Sequence, residues 1–400
     1  MQPTEYHLKP ELKARLETAL QHASDAIRYQ EWNYPLVNKM AVIKGSKTVC
    51  EALEAALGTE NPNAVPDYAR FGLSAPTDEE QEQASDFLSM IEVIANDGQG
   101  ALVIKGLPED KRLSLLTMAL PYFFGTLTNT ARTGEQTDAE GYPRYLKADK
   151  IAVSGKRLRH HAAQPLHIDG EYKKGNDATG FLYKPNYMLR FLASRGKGDA
   201  NLSTNIFTID EFVDHVTTSI MADESCSRFL TEQCGEAPTH DAVRELIIDT
   251  LCKPIWPAPT IDIVHGDVKG SRAQPMLLKD SQNQLFVNHF ANVLEKLAVR
   301  EKGTVWDRWQ AFVVKEHSPQ ACHFFDRLAH AMQEARTEMK TVDGLVLDNG
   351  EMLVYNDRRV IHGTGKLGED VKGKHTRTIV NGSAHRNFDP SETSGSLTPR

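Results

Sequence analysis

The sequence is poor in the features that mark several protein classes. Only five cysteines occur in 400 residues: Cys50, Cys226, Cys234, Cys252 and Cys322. They are odd in number, scattered, and form no CxxC pair. Buried or idle thiols are therefore expected, and neither a disulfide framework nor a structural zinc site. Basic residues are not in excess, since 46 Lys and Arg stand against 54 Asp and Glu, for a formal net charge of −8. A nucleic-acid scaffold would show the opposite bias. No apolar run approaches the roughly 18 to 20 residues that span a bilayer. The N-terminus, MQPTEYHLKPELKAR, lacks the apolar core of a signal peptide. The expectation is a cytoplasmic protein with no nucleic-acid or membrane partner. No internal repeat or interdomain linker stands out. What remains, 40% hydrophobic and 25% charged residues, is an ordinary globular composition that excludes collagen, wholesale disorder and coiled coil.

Residues 1–97 read as a helical region. Leu12, Leu16, Leu20, Ala23 and Ile27 recur at helical spacing and form one apolar face. A second helix opens at Pro76 and Thr77, where Thr77 and Glu80 have capping-box spacing and Phe87, Leu88, Ile91 and Ile94 supply the stripe. Ala101 to Ile104 then reads as a short buried strand closed by Gly106 and Pro108. From about residue 145, short candidate strands alternate with Gly, Asn and Asp clusters. They are Tyr187–Leu192, Asn201–Phe207, Gln284–Val287, Glu351–Tyr355 and Thr376–Val380, a spacing that predicts a sandwich or barrel. Helical inserts interrupt it at about 208–235 and 304–340, the latter with Phe324, Phe325, Leu328, Met332 and Met339 on its apolar side. The tail 386–400, rich in Ser, Thr and Pro, reads as disordered. The predicted class is mainly β with helical decoration (α+β).

Two segments carry chemistry: Gln164 to Tyr172, and Asn349 to Gly363 followed by His375 to Val380. On an extended strand His167 and Asp169, two residues apart, point to one face. An imidazole and a carboxylate then converge, and a histidine from a neighbouring strand completes a two-His-one-carboxylate face around a divalent metal. That face leaves positions open, as non-haem Fe(II) oxygenases require. His362, ending a Val-Ile run, is the candidate third ligand. A second pair, His265-Gly266-Asp267, sits in a turn-like stretch where its side chains need not converge. The adjacent His160 and His161 would face opposite sides of a strand and read as a solvated or capping pair, with substrate contact as the other option, and His289 reads as a core histidine or one that supports a ligand. Arg377 lies in a Thr/Ile/Val run, where a buried guanidinium needs a carboxylate partner and matches one in bidentate fashion. A structural salt bridge is the alternative reading.

In order, HxD, a long gap, His, a short gap and Arg resemble the Fe(II)/2-oxoglutarate-dependent oxygenases of the taurine dioxygenase and clavaminate synthase-like group. Gly350 to Gly363 is similar to that family's segment before the distal histidine, and Gly100 to Pro108 to its N-terminal strand. His167 to Tyr172 is also similar to the glutarate hydroxylase branch. The resemblance runs in islands from about residue 98 to 383. It implies a double-stranded β-helix (jelly-roll) core over 98–385. His167, Asp169 and His362 would bind Fe(II), and Arg377 would hold the distal carboxylate of 2-oxoglutarate. The family's further cosubstrate contact falls by simple register on Asn201, with Thr204 as the fallback. The gap from Asp169 to His362 is long for the family, and the surplus reads as a helical insert offered to a lid or to a homo-oligomer contact.

The implied activity is a dioxygenase that consumes 2-oxoglutarate and O₂, releases succinate and CO₂, and hydroxylates a C–H bond by default. Desaturation, epoxidation or ring formation use the same ligands. Asp169 opposes halogenation, because related halogenases lack that carboxylate. The other classes are a non-catalytic metal-binding jelly-roll module, and a zinc or manganese hydrolase or isomerase, which would not need Arg377. Lys156, Arg157 and Arg159 favour an anionic substrate if they face inward, whereas Glu171 and Tyr172 favour an amine or guanidine. The expected substrate is accordingly a small polar molecule, an amino acid or a carboxylic acid.

Overall fold

The computed structural model describes residues 3–22, 74–80, 82–83, 86, 100–108, 147–155, 164–168, 187–194, 203–261, 268–279, 283–339, 344–356, 358–364 and 378–385. It mixes helices and strands, and among the described strands no sheet closes into a barrel.

The chain opens with a strand where the sequence predicts helix. β1 (Thr4–His7) runs parallel to β2 (Ala101–Lys105). Its register is held by the Leu8 N–H on the Lys105 carbonyl and by Lys105 Nζ on Glu5 at 2.7 Å. Four residues with exposed Glu5 and His7 are too few to show an apolar pattern, so the pairing comes from β2. The predicted helix follows as α1 (Pro10–His22), burying Leu12 and Leu16; Ala23 and Ile27 lie outside the described residues. The capping box at Thr77 forms, with Thr77 N–H on Glu80 and Glu80 N–H on the Thr77 hydroxyl at 2.8 and 3.2 Å.

The remaining strands are β3 (Lys147–Gly155), β4 (Gln164–His167), β5 (Tyr187–Ser194), β6 (Thr204–Thr208), β7 (Trp256–Ile261), β8 (Val268–Gln274), β9 (Leu277–Lys279), β10 (Leu285–Val287), β11 (Glu351–Asn356), β12 (Val360–Thr364) and β13 (Thr378–His385). A six-stranded sheet has the order β1-β2-β11-β5-β13-β3, and a three-stranded sheet the order β4-β12-β6. Two smaller hairpins, β7-β8 and β9-β10, stand apart.

Helices α2 (Ile209–Met221), α3 (Ser227–Cys234) and α4 (His240–Leu251) follow β6, so the helical stretch continues past 235. Thr208, the last residue of β6, caps α2 through a complete capping box with Glu211, turning strand directly into helix. Helices α5 (Ala291–Ala298), α6 (Val305–Glu316) and α7 (Pro319–Glu338) form the second helical stretch.

Period-2 alternation makes the three-stranded sheet the middle layer of three. On one face, Leu166, Ile168 and Ile361 join a core with helical residues such as Phe212, Val216, Phe324 and Leu328, against which Phe207 also packs. On the other, Ile206 and Val360 join Ala101, Val103, Leu353 and Tyr355 of the six-stranded sheet. The helices thus pack behind the strands that carry the histidines. Cys226, Cys234, Cys252 and Cys322 are free thiols, and burial pushes the Cys252 thiol up to about 11. Among the described residues no helix is long and apolar enough to cross a membrane.

Candidate active site

β4 is short because its sequence allows little else. Pro165 has no N–H to offer a ladder and suits an edge strand. Leu166 and Ile168 point into the helical core, which turns His167 to the face between the sheets. In β12, Ile361 faces the helices, and Val360 and His362 face the six-stranded sheet. His167 and His362 are directly opposed in the antiparallel β4-β12 pair, with ring centroids 4.3 Å apart and planes inclined by 52°.

The His167 Nδ1–H donates to the Pro165 carbonyl at 2.9 Å. A carbonyl only accepts, so Nδ1 carries the proton and Nε2 keeps its lone pair in the neutral ring. Metal-binding histidines are oriented in this way. His362 is fully buried, and its Nε2 lies 3.3 Å from the Tyr355 hydroxyl. The Tyr355 ring stands 4.8 Å from the imidazole, centroid to centroid. Two opposed imidazoles, His362 buried and His167 half-buried with its tautomer set by the backbone, fit a divalent-metal donor set.

Asp169, Asn201 and Arg377 lie outside the described residues, as do His160, His161, His265, Asp267, Lys156, Arg157, Arg159, Glu171 and Tyr172. Among the described residues no three His, Cys, Asp or Glu side chains form a metal-holding group. Thr204 lies on β6 opposite Thr364 and is bridged to Leu345, with its N–H on the Leu345 carbonyl at 2.7 Å. His289 is buried after β10, in keeping with a core histidine.

Two residues that the motif does not single out touch these strands. Tyr355 projects from β11, and its signal is a phenol at an inward position beside Leu353. Arg336, on α7, reaches the backbone of β4: its Nε–H donates to the Leu166 carbonyl at 2.8 Å. Its signal is a guanidinium that continues the apolar stripe of Phe325, Leu328 and Met332. A cavity of about 510 Å³ opens beside Arg359, Thr208 and Arg244. Neither histidine lines it, and its Arg244 and Lys279 are already paired with Asp210, Asp214 and Asp249.

No protein-family model matches the chain, and no curated protein matches it in sequence. Solved structures do resemble it. A non-heme iron oxygenase, OrfP, in complex with Fe is 12% identical, with 100% of this chain and 98% of that chain covered and a TM-score of 0.48. The same protein in complex with Fe and alpha-ketoglutaric acid is 13% identical, with coverage of 98% and 96% and a TM-score of 0.47. An asparagine oxygenase in complex with Fe(II), 2S,3S-3-hydroxyasparagine and succinate is 10% identical, with coverage of 95% and 92% and a TM-score of 0.45. These structures are non-haem iron oxygenases, the class named by the resemblance in the sequence; at these identities and scores they assign no activity to this chain.

Proposed function

We propose that the protein is an Fe(II)- and 2-oxoglutarate-dependent dioxygenase. Its reaction is hydroxylation of a C–H bond in a small polar molecule, an amino acid or a carboxylic acid, with release of succinate and CO₂. The observation that carries this reading is the direct opposition of His167 and His362 between two face-packed sheets, with ring centroids 4.3 Å apart. The jelly-roll core belongs to the same proposal and is supported by that packing, in which both sheets contribute to one apolar cluster.

In this reading His167, Asp169 and His362 hold the metal, and Arg377 holds the distal carboxylate of 2-oxoglutarate, with Asn201 or Thr204 as a further contact. Bound Fe(II) with 2-oxoglutarate and O₂ supplies the oxidising power that no side chain has. The chain's own share is geometry and dryness. The Pro165 carbonyl keeps the His167 proton on Nδ1, so that Nε2 carries the lone pair. Ile206, Val360 and Leu353 keep water from the inter-sheet layer. A guanidinium at Arg377 would match a carboxylate with two parallel hydrogen bonds, which favours a dicarboxylate cosubstrate over a neutral one.

The test is an anaerobic titration of apoprotein with Fe(II) and then 2-oxoglutarate, watching for the visible metal-to-cosubstrate charge-transfer band. A band that needs both additions supports the proposal. A folded protein without a band would overturn it in favour of a non-catalytic metal-binding module or another metal.

A further inference from the structure

We propose that Arg336 is a positioning residue for His167, so that the helical layer sets the geometry of the metal site; this rests on the reading of His167 as a metal ligand. β4 has four residues and lies at the edge of its sheet among the described strands. Its pairing with β12 is irregular, with a register shift between His362 and Thr364. A short edge strand has few ladder hydrogen bonds of its own, and a slip of one residue turns each side chain to the opposite face. Such a slip would send His167 into the helical core and Leu166 toward the metal. Burial of Leu166 and Ile168 opposes that slip, and a hydrogen bond from outside the sheet fixes the strand further.

Arg336 is 1% exposed, in an apolar core where a guanidinium is costly unless each arm is engaged. Its Nε–H takes the Leu166 carbonyl at 2.8 Å, the peptide unit that leads into His167. One terminal nitrogen donates to Gln333 at 2.7 Å on the same helix, and the other to Glu295 of α5 at 3.0 Å. The Phe290 ring lies 5.9 Å from the guanidinium carbon. The planar fork is therefore aimed from two sides, and its third side grips the strand. A lysine could reach one of these acceptors, not all of them.

The experiment compares wild type, Arg336→Met, Arg336→Lys and Glu295→Gln. It reads thermal stability, the Fe(II) dissociation constant from the anaerobic titration, and amide exchange of residues 164–168 in the metal-free protein. Groups that orient metal ligands typically govern affinity by about ten- to a hundred-fold. Arg336→Met is expected to weaken Fe(II) by about ten-fold or more and to speed exchange in β4, with Arg336→Lys between it and wild type. Glu295→Gln removes the charge from one arm's partner, keeps an acceptor there and leaves the Leu166 hydrogen bond, so it should lower the melting temperature slightly with Fe(II) affinity unchanged. Folded Arg336 variants with wild-type affinity would overturn the proposal. Failure of both to fold would also overturn it, assigning Arg336 to the core alone. Absence of metal binding in wild type would instead count against the dioxygenase reading itself.

Discussion

The phenol of Tyr355 and the imidazole of His362 come from opposite sheets and meet in the buried layer between them, with the hydroxyl 3.3 Å from Nε2. In the tautomer with the proton on Nδ1, that nitrogen has one lone pair in the plane of the ring, so it serves the phenol or a metal and not both at once. The hydrogen bond therefore belongs to the metal-free state. Such a bond contributes about 1 kcal/mol net. Tyr355→Phe is expected to lower the stability of apoprotein by about that amount and to tighten metal binding by about five-fold, the same energy read as affinity. Weaker binding in the variant would show that His362 uses Nδ1. Thermal unfolding with and without metal, together with the anaerobic titration, checks both halves.

The ligand set is tested one residue at a time. His167→Ala, Asp169→Ala and His362→Ala should each abolish 2-oxoglutarate-dependent succinate release. Near-normal turnover in any one removes that residue from the set. Arg377→Ala should act differently, raising the KM for 2-oxoglutarate by ten-fold or more, on the order of a lost charge-assisted pair. Its metal affinity should stay close to wild type. A weakened metal site with normal cosubstrate affinity would reverse the assignment.

Gly100 sits at a positive φ of 71°, directly before β2, and its carbonyl accepts the Asn356 N–H at 2.7 Å. A Cβ there would lie 2.2 Å from Val360 Cγ1. Val360 is fully buried in the cluster shared by the two sheets, and its branched side chain is stiff. Gly100→Ala is expected to cost about 1–3 kcal/mol through strain and overpacking. Chemical denaturation would show a lower midpoint with an unchanged slope; an unchanged midpoint would mean that the strand end relaxes freely.

The turn between α2 and α3 is tied to α7 by Asp223. Its carboxylate accepts from the Ser225 hydroxyl at 2.6 Å, the Ser225 N–H at 3.0 Å and Arg327 Nε at 2.6 Å. The Ser225 side chain first, then its backbone N–H and Arg327, hold this carboxyl below its ordinary value against the opposing effect of burial. A carboxyl depressed in the folded state stabilises fully above its unfolded pKa, and that contribution is lost as pH falls through the folded value. The melting temperature of Asp223→Asn should lie below wild type at pH 7, and the gap should narrow as pH falls below the ordinary Asp range. A gap independent of pH would assign the effect to packing.

Much of the local structure was legible from residue patterns. The stripe in α1, the capping box at Thr77, and the strands at Ala101 and Glu351 follow from spacing alone, because period and capping act over a few residues. Some elements were hidden for the same reason. β1 has no pattern of its own and exists by pairing with β2. The β7-β8 hairpin carries Pro257 and Pro259, which argue against a strand when read in isolation. α4 and α5 lie beyond the inserts that the sequence marks out, since α4 alternates buried and charged positions over little more than three turns.

For the site, His167 and His362 were identifiable as metal-ligand residue types, but their opposition was not. It depends on β4 pairing with β12 across a long stretch of chain, and no short-range rule sets that register. Tyr355 and Arg336 illustrate the same limit. Each looks like an ordinary member of an apolar run, and each meets a histidine-bearing strand only after distant layers pack. Composition and spacing determined which residues can bind a metal and which faces must be buried. Packing decided which of them meet, because a four-residue edge strand has too little pairing energy of its own to choose its partner, its register or the direction of its imidazole.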